Sequence, residues 1–174
     1  LLICRRENER YGVFDARLFE SASVYLGADP NDPATQPTLL AFVSGDSFAG
    51  VRGVLDALAR SVNASAVVTA RPSDVPQFTP GRGAEVLLNG RPWGWLGQFD
   101  RSAADCLDLR DDVTVCEVSL SPLVDIVERA PQFTPLPHYP AIERDLNFVL
   151  DEPVTWQRLE EPVRAAAGPL LDAV

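Results

Sequence analysis

Apolar and polar residues recur along the chain with two spacings, one typical of helices and one typical of strands. From Phe48 to Val62 the apolar residues fall at three- and four-residue steps, which predicts an amphipathic helix, and Gly45-Asp46-Ser47 precedes it as a turn that can cap a helix. Ser121-Pro122 predicts the start of a short helix that ends near Ala130. Shorter apolar or alternating runs predict strands at 18–26, 39–44, 66–68, 85–88, 91–99 and 113–120. This order of elements predicts an α+β fold, a mostly antiparallel sheet with flanking helices.

The strongest local signal is a hairpin at Asn89-Gly90, because this pair supplies the two positive φ angles of a two-residue type I′ loop. Trp93 and Trp95 follow in the second strand, and their spacing of two predicts that they project from the same face. We interpret these two residues and Phe99 as core or interface aromatics. The alternative is a sheet face on which nucleic-acid bases stack.

The last quarter of the chain has a pattern of its own. A proline-rich crossing, 131–140, precedes the stretch 142–150, whose near-alternating apolar residues predict a half-buried strand. Thr155 then stands where an N-cap starts a helix. One strand and one helix cannot bury a core by themselves, so either they pack on the preceding domain or the natural protein continues. The chain contains no methionine and therefore no initiator residue, so we expect a boundary at its first residue as well.

Charge and cysteine content narrow the classes of function. Arginine supplies all 15 basic residues and lysine none, which excludes a Schiff-base lysine and a phosphate-loop lysine. The formal net charge of -10 argues against a broad basic face for non-specific nucleic-acid binding. No apolar run approaches the roughly 18 residues of a membrane span, so we expect no membrane insertion. The three cysteines lack C-x-x-C spacing and predict reduced thiols of a cytosolic protein, without a disulfide or a zinc site.

Residue types that catalyse reactions do not form a recognisable set. His138 is the only histidine, and without a nucleophile motif nearby a solvated or capping role is favoured over that of a catalytic base. No pair of carboxylates has the spacing of acid–base or metal chemistry. Gly81-Arg82-Gly83 is more typical of a turn than of a phosphate loop, because a strand follows it instead of a helix. The sequence therefore predicts no catalytic and no metal-ligating residue.

Several segments in order carry a resemblance to a known family. They include Leu18-Phe19-Glu20, the stretch 78–99 (FTPGRGAEVLLNGRPWGWLGQF) and the stretch 139–152 (YPAIERDLNFVLDE). Together they resemble the C-terminal third of the bacterial phenylalanine–tRNA ligase beta subunit, over essentially the whole chain. The sequence departs from the family pattern at three places. Ser21-Ala22-Ser23 replaces the usual Ile-Gly-Arg, Thr79 replaces the usual His, and Phe99-Asp100 replaces the usual Leu-His.

The resemblance implies two modules. Residues 1–136 would form a catalytic-like domain with the antiparallel class II aminoacyl-tRNA synthetase fold. Residues 137–174 would be the truncated start of a ferredoxin-like anticodon-binding domain, of which one strand and one helix are present. Arg144 and Asp145 would lie on the opening strand of this tRNA-contacting domain and point to its opposite faces.

The resemblance also implies a noncatalytic part of an enzyme. A class II site needs an arginine just after the strand 18–26 to hold the ATP α-phosphate, and Gly27-Ala28-Asp29 follows instead. The intact cytoplasmic ligase joins phenylalanine to tRNA(Phe) with ATP and Mg²⁺ as an alpha2beta2 heterotetramer. This part would bind no cofactor itself and would supply scaffold and an interface to the alpha subunit. The rival hypotheses are a free-standing RNA-binding or protein-interaction module and, last, a hydrolase with His138 as its base.

Overall fold

A six-stranded antiparallel sheet is the main element of the first of two units, Leu1–Phe133 and Thr134–Val174, into which the chain divides. The computed structural model describes residues 1–27, 29, 32, 35–128, 130, 133, 140–151, 153–168 and 171. The strands are Leu18–Ser23 (β1), Thr38–Ser44 (β2), Val68–Pro72 (β3), Phe78–Leu88 (β4), Arg91–Phe99 (β5) and Thr114–Ser119 (β6). Across the sheet they follow the order β1-β2-β6-β5-β4-β3, with every neighbouring pair antiparallel. The predicted antiparallel α+β arrangement is confirmed.

Helices flank this sheet. In the described part of the first unit they are Leu2–Arg10 (α1), Phe48–Val62 (α2), Arg101–Cys106 (α3) and Ser121–Asp125 (α4). The predicted long helix is confirmed as α2, and Ser47 caps it, since its Oγ accepts a hydrogen bond from the Gly50 N–H at 3.3 Å. The predicted short helix is α4, which ends at Asp125 and not near Ala130. No helix in the described residues of either unit is long and apolar enough to cross a bilayer.

The main core lies between α2 and one face of the sheet. Leu55 and Ala59 of α2 are fully buried there. They belong to one cluster with residues of β2 through β6 and with Leu123 of α4. Burying a leucine side chain contributes about 1.5–3 kcal/mol, so this contact holds the helix on the sheet. The buried members are Leu40, Val51, Leu55, Ala59, Ala66, Val68, Val86, Leu88, Trp93, Leu96, Cys116, Val118 and Leu123.

A second, smaller cluster covers one end of the opposite face of the sheet. Its buried members are Val43, Ala104, Leu109 and Val113, with Leu1, Leu2, Phe99, Leu107 and Val115 packed against them. The N-terminal segment and α3 therefore cover this end. The middle of the face is different, because Glu20, Trp95 and Glu117 are exposed there.

A buried ion pair fixes α1 to the rest of the first unit. Arg5 Nε donates to Glu9 Oε1 at 2.9 Å, one helical turn along, and the two side chains are 1% and 2% exposed. The Arg5 guanidinium also donates to the carbonyl oxygens of Phe14 and Ala16, and Glu9 Oε2 accepts from the Arg110 N–H at 3.0 Å. Both buried charges are thus paired and hydrogen-bonded, which is the condition under which a protein interior tolerates them.

The hairpin between β4 and β5 forms at the predicted turn. Asn89 and Gly90 have φ angles of 50° and 77°, as a type I′ loop requires. The register shifts after the pair Val86–Gly94, which leaves Trp93 as the extra residue of a β-bulge. A bulge interrupts the alternation of faces along a strand, so residues on either side of it do not follow a simple period of two.

The second unit contains the predicted helix and lacks the predicted strand. The helix is α5, Trp156–Ala167, with Thr155 at its N-cap. The prediction of a strand at 142–150 is wrong, because residues 140–151 have no regular secondary structure and are exposed. A strand must pair its backbone N–H and C=O groups with a neighbouring strand, and the described residues of this unit contain none. The expected βα unit is therefore observed only as its helix.

The three cysteines differ in exposure. Cys116 of β6 is buried in the main cluster, whereas Cys4 and Cys106 are exposed, and all three are free thiols. Burial raises the pKa of the Cys116 thiol to about 12, with a smaller contribution from the neighbouring Glu117 carboxylate. Because the thiolate is the reactive form, we expect iodoacetamide at a mildly alkaline pH to modify Cys4 and Cys106 in the folded chain and Cys116 only after unfolding. Peptide mass spectrometry measures this, and modification of all three at equal rates in the folded chain would contradict it.

Candidate functional site

One row of paired residues crosses all six strands of the sheet. From the edge strand β1 to the opposite edge strand β3, it consists of Glu20, Ala41, Glu117, Trp95, Glu85 and Arg71, each the register partner of the next. Directly paired residues of antiparallel strands project from the same face, with Cβ atoms about 4.5–5.5 Å apart. We call this set the Trp95 row.

The Trp95 row lies on the face that α2 does not cover. Leu96 and Cys116, which follow Trp95 and precede Glu117 in their strands, are buried in the cluster under α2. Successive residues of a strand point to opposite faces, so Trp95 and Glu117 point away from α2. Trp95 is 40% exposed. Trp95 and Glu117 therefore face solvent, whereas Glu85, on the other side of the indole, is buried.

Charge is distributed unevenly along the Trp95 row. Arg71 Nε donates to Glu85 Oε2, and the Glu85 side chain is only 12% exposed. Glu20 and Glu117 are exposed and have no hydrogen-bonding or ion-pairing partner for their carboxylates among the residues that the structure describes. The row thus carries three carboxylates and one guanidinium. Its field favours cations over anions.

The aromatic residues that the sequence singles out do not form a common patch. Trp93 is 3% exposed in the main core, and its Nε1–H donates to the Ser119 carbonyl oxygen at 2.8 Å. Trp95 lies on the opposite face, so the prediction that both indoles share a face is wrong, and the bulge at Trp93 is the reason. Phe99 is half-buried and packs against the second cluster. Only Trp95 has the exposure that a binding surface needs.

A cleft of about 280 Å³ lies at the end of β2. Both of its arginines are already paired, since Arg17 pairs with Asp46 at 3.0 Å and Arg5 is buried in its pair with Glu9. Ser44 Oγ also donates to the Asp46 carboxylate at 2.8 Å. These contacts are those of a polar junction that holds α1 and the following loop against the sheet. The lining residues are Arg5, Phe14, Asp15, Arg17, Ser44, Gly45, Asp46, Asp111 and Asp112.

The remaining candidate residues are His138, Arg144 and Asp145. His138 falls outside the described residues. Arg144 and Asp145 are exposed in the segment 140–151, so the strand position expected for them is not observed. Over the described parts of the chain, no three His, Cys, Asp or Glu side chains come together in a group that could hold a metal ion.

Comparison with known proteins identifies the family. The model of the phenylalanyl tRNA synthetase beta chain CLM domain matches residues 1–120. Phenylalanine–tRNA ligase beta subunits from Xanthomonas campestris pv. campestris strain 8004, Xylella fastidiosa strain Temecula1 and Clostridium tetani are 36%, 35% and 28% identical over 173, 171 and 162 residues. These alignments cover 91%, 89% and 91% of this chain and 21%, 21% and 20% of the relatives. The chain thus spans about a fifth of the length of these curated relatives.

The fold has counterparts among solved structures. The crystal structure of a pyrrolysyl-tRNA synthetase from Desulfitobacterium hafniense matches with a TM-score of 0.53 at 15% identity, over 72% of this chain and 46% of that chain. At this identity the likeness concerns the fold alone, and it confirms the predicted synthetase-like α+β fold of class II. Because the family model covers most of the chain and curated beta subunits align along its length, this chain belongs to the phenylalanine–tRNA ligase beta-subunit family.

Proposed function

We propose that this chain is part of the beta subunit of a phenylalanine–tRNA ligase, the cytoplasmic enzyme that attaches phenylalanine to its tRNA with ATP and Mg²⁺. Within that enzyme it serves as a noncatalytic scaffold, as a subunit interface and as the beginning of a tRNA-contacting domain. The family match over residues 1–120 and the 36% identity to a curated beta subunit support this role. The partners that it requires are the alpha subunit, in an alpha2beta2 heterotetramer, and tRNA(Phe).

The charge of the Trp95 row supports the noncatalytic part of the proposal. A site for ATP on this sheet face would have to place cationic groups against three phosphates. Glu20, Glu85 and Glu117 share the row instead, and its one guanidinium, that of Arg71, is already bonded to Glu85. The edge strand β1 adds no arginine to the row. The electrostatic field at this face therefore disfavours a polyanion.

We expect the chain by itself to bind no ATP at micromolar concentrations. The measurement is isothermal calorimetry of the 174-residue chain with ATP and Mg²⁺, and the intact alpha–beta enzyme under the same conditions is the positive control. The chain should give only heats of dilution, because the Trp95 row repels the triphosphate. Saturable binding with micromolar affinity would contradict the noncatalytic role.

A second arm of the same experiment tests the enzyme assignment independently of ATP binding by the isolated chain. The full-length beta subunit that contains this chain, assembled with its alpha subunit, is expected to charge tRNA(Phe) with phenylalanine. Failure of the assembled complex to charge tRNA(Phe), with either result in calorimetry, would overturn the assignment to this enzyme.

For the domain boundary we assign residues 1–136 to the catalytic-like domain and residues 137–174 to the start of the anticodon-binding domain. The division of the chain into Leu1–Phe133 and Thr134–Val174 supports a boundary close to this position. α5 supplies the helix that the second assignment requires. In this proposal Arg144 and Asp145 join the opening strand when a partner strand is available to pair with it.

The free-standing modules have less support. An RNA-binding protein needs cationic groups along the phosphate backbone, and the net charge of -10 together with the acidic Trp95 row opposes such contacts. The bulge also removes one of the two indoles from the face on which bases would stack. A hydrolase receives no support from the described geometry, because His138, which would be its base, lies outside the described residues.

A further inference from the structure

Trp95 has carboxylates on both sides, and only one of them is paired. Glu85 is its partner in β4 and already binds a guanidinium, that of Arg71. Glu117 is its partner in β6, is exposed and has no cationic partner in the described residues. A glutamate therefore lies on each side of the indole, but only Glu85 has an ionic partner among the described residues.

We infer that the Trp95 row is a docking surface for an arginine side chain of a polypeptide partner, held between the Trp95 indole and the Glu117 carboxylate. The face of an indole attracts a cation, and tryptophan does so more strongly than other aromatic residues. A carboxylate directly beside it in the row adds a charge-assisted hydrogen bond. An indole and a carboxylate at this spacing thus supply both contacts that a guanidinium makes.

The same row contains an internal precedent. Arg71 extends along the sheet face to Glu85, with its side chain 64% exposed, so this face already holds one guanidinium against a carboxylate, two strands away from Trp95. Arginine is favoured over lysine, because the planar guanidinium stacks on an aromatic face and presents a fork of N–H donors to a carboxylate at the same time. The geometry of the row therefore selects the side chain as well as its charge.

Charge complementarity selects a basic polypeptide as the occupant. The chain carries a net charge of -10, which speeds the approach of a basic partner and opposes a nucleic acid or an acidic peptide. Glu20, farther along the row, is a further exposed carboxylate without a partner among the described residues. This inference goes beyond the scaffold role proposed above, and its test requires neither the alpha subunit nor tRNA.

The test is a titration of a short fluorescein-labelled peptide of alternating glycine and arginine with the 174-residue chain, followed by fluorescence anisotropy at low ionic strength. Glu117→Gln and Trp95→Leu are each expected to weaken binding about fivefold, the scale of an exposed ion pair and of an exposed cation–π contact. Arg71→Gln frees the Glu85 carboxylate and is expected to tighten binding. The lysine version of the peptide should bind more weakly than the arginine version.

Glu128→Gln is the matched control, because it removes the same charge at an exposed residue whose N–H bonds the Val62 carbonyl oxygen at the end of α2. Its affinity for the peptide should equal that of the unchanged chain, and circular dichroism confirms the folding of each variant. Equal weakening by Glu117→Gln and Glu128→Gln would overturn the inference in favour of net charge alone. The absence of saturable binding, or Trp95-dependent binding of an oligothymidylate in place of the peptide, would overturn it as well.

Discussion

Replacing Arg5 with methionine is expected to lower the free energy of unfolding of the first unit by about 3–5 kcal/mol, because it leaves the buried Glu9 carboxylate without its ionic partner. Both side chains are almost fully inaccessible to water, at 1% and 2% exposure. The Phe14 and Ala16 carbonyl oxygens would lose their guanidinium donor in the same change. Methionine keeps much of the apolar stem of arginine. The loss in unfolding free energy therefore comes from the missing charge and hydrogen-bond donors and not from a cavity.

Urea unfolding followed by tryptophan fluorescence measures the effect of the Arg5 change. Arg6→Met is the matched control on the same helix, since Arg6 is 26% exposed and pairs with the partly exposed Glu7 at 2.7 Å, and it should cost less than about 1 kcal/mol. Equal losses for the two variants would show that burial of the Arg5 pair is not what stabilises α1. The double variant Arg5→Met/Glu9→Leu should recover part of the loss, because it removes the unpaired charge.

Gly94→Ala is expected to destabilise the first unit by about 3 kcal/mol, at the upper end of the range for overpacking. A Cβ atom on Gly94 would lie 2.0 Å from the Glu117 carbonyl oxygen and 2.7 Å from Val118 Cα. Both are backbone atoms of β6, so no side-chain rotation relieves the clash. β5 would have to move away from β6, in the strand pair that carries Trp95 and Leu96.

Gly53→Ala is the matched control for Gly94, because it makes the same chemical change on an exposed position of α2 where a Cβ meets nothing within 4 Å. Alanine in a helix interior is favoured over glycine by about 0.8–1.0 kcal/mol, so this variant should be more stable than the unchanged chain. The two substitutions are therefore expected to shift the urea midpoint in opposite directions. A Gly94→Ala variant as stable as Gly53→Ala would contradict the close approach of β5 and β6.

The elements that the sequence predicts correctly are those whose determinants are local. The apolar period of α2 and its Ser47 cap lie within a few residues of each other. The same holds for Asn89-Gly90, whose backbone angles select the hairpin turn without reference to the rest of the chain. The antiparallel α+β class follows from the order of such local patterns.

The parts that differ from prediction depend on distant residues. Arg5 lies in a polar helix, and its burial depends on carbonyl oxygens and an N–H of later segments, which hydrophobic patterning does not register. The bulge at Trp93 depends on how β5 pairs with β4, so residue spacing gives the wrong face for this indole. The alternating residues of 142–150 have no neighbouring strand in the described part of their unit, and alternation alone does not make a strand.

The candidate site is less accessible from sequence than the fold. Glu117 comes to lie beside Trp95 only through the pairing of β5 with β6. No spacing along the chain indicates this contact, and Glu20 reaches the same row only through two further strand pairs. The family resemblance predicts the fold and the noncatalytic role, but the Trp95 row became visible only with the strand register.

The order of the strands has a kinetic consequence. β3, β4 and β5 follow one another as a meander, and β1 pairs with its successor β2. β2 pairs with β6, by contrast, although a long stretch of sequence separates them. Thr114 Oγ1, for example, donates to the Asp46 carbonyl oxygen 68 positions earlier. Closing a loop of this length is entropically costly and slows folding. The sheet should thus assemble as two halves that β6 joins last. During synthesis on the ribosome, the inner edge of β2 remains unpaired until β6 has emerged.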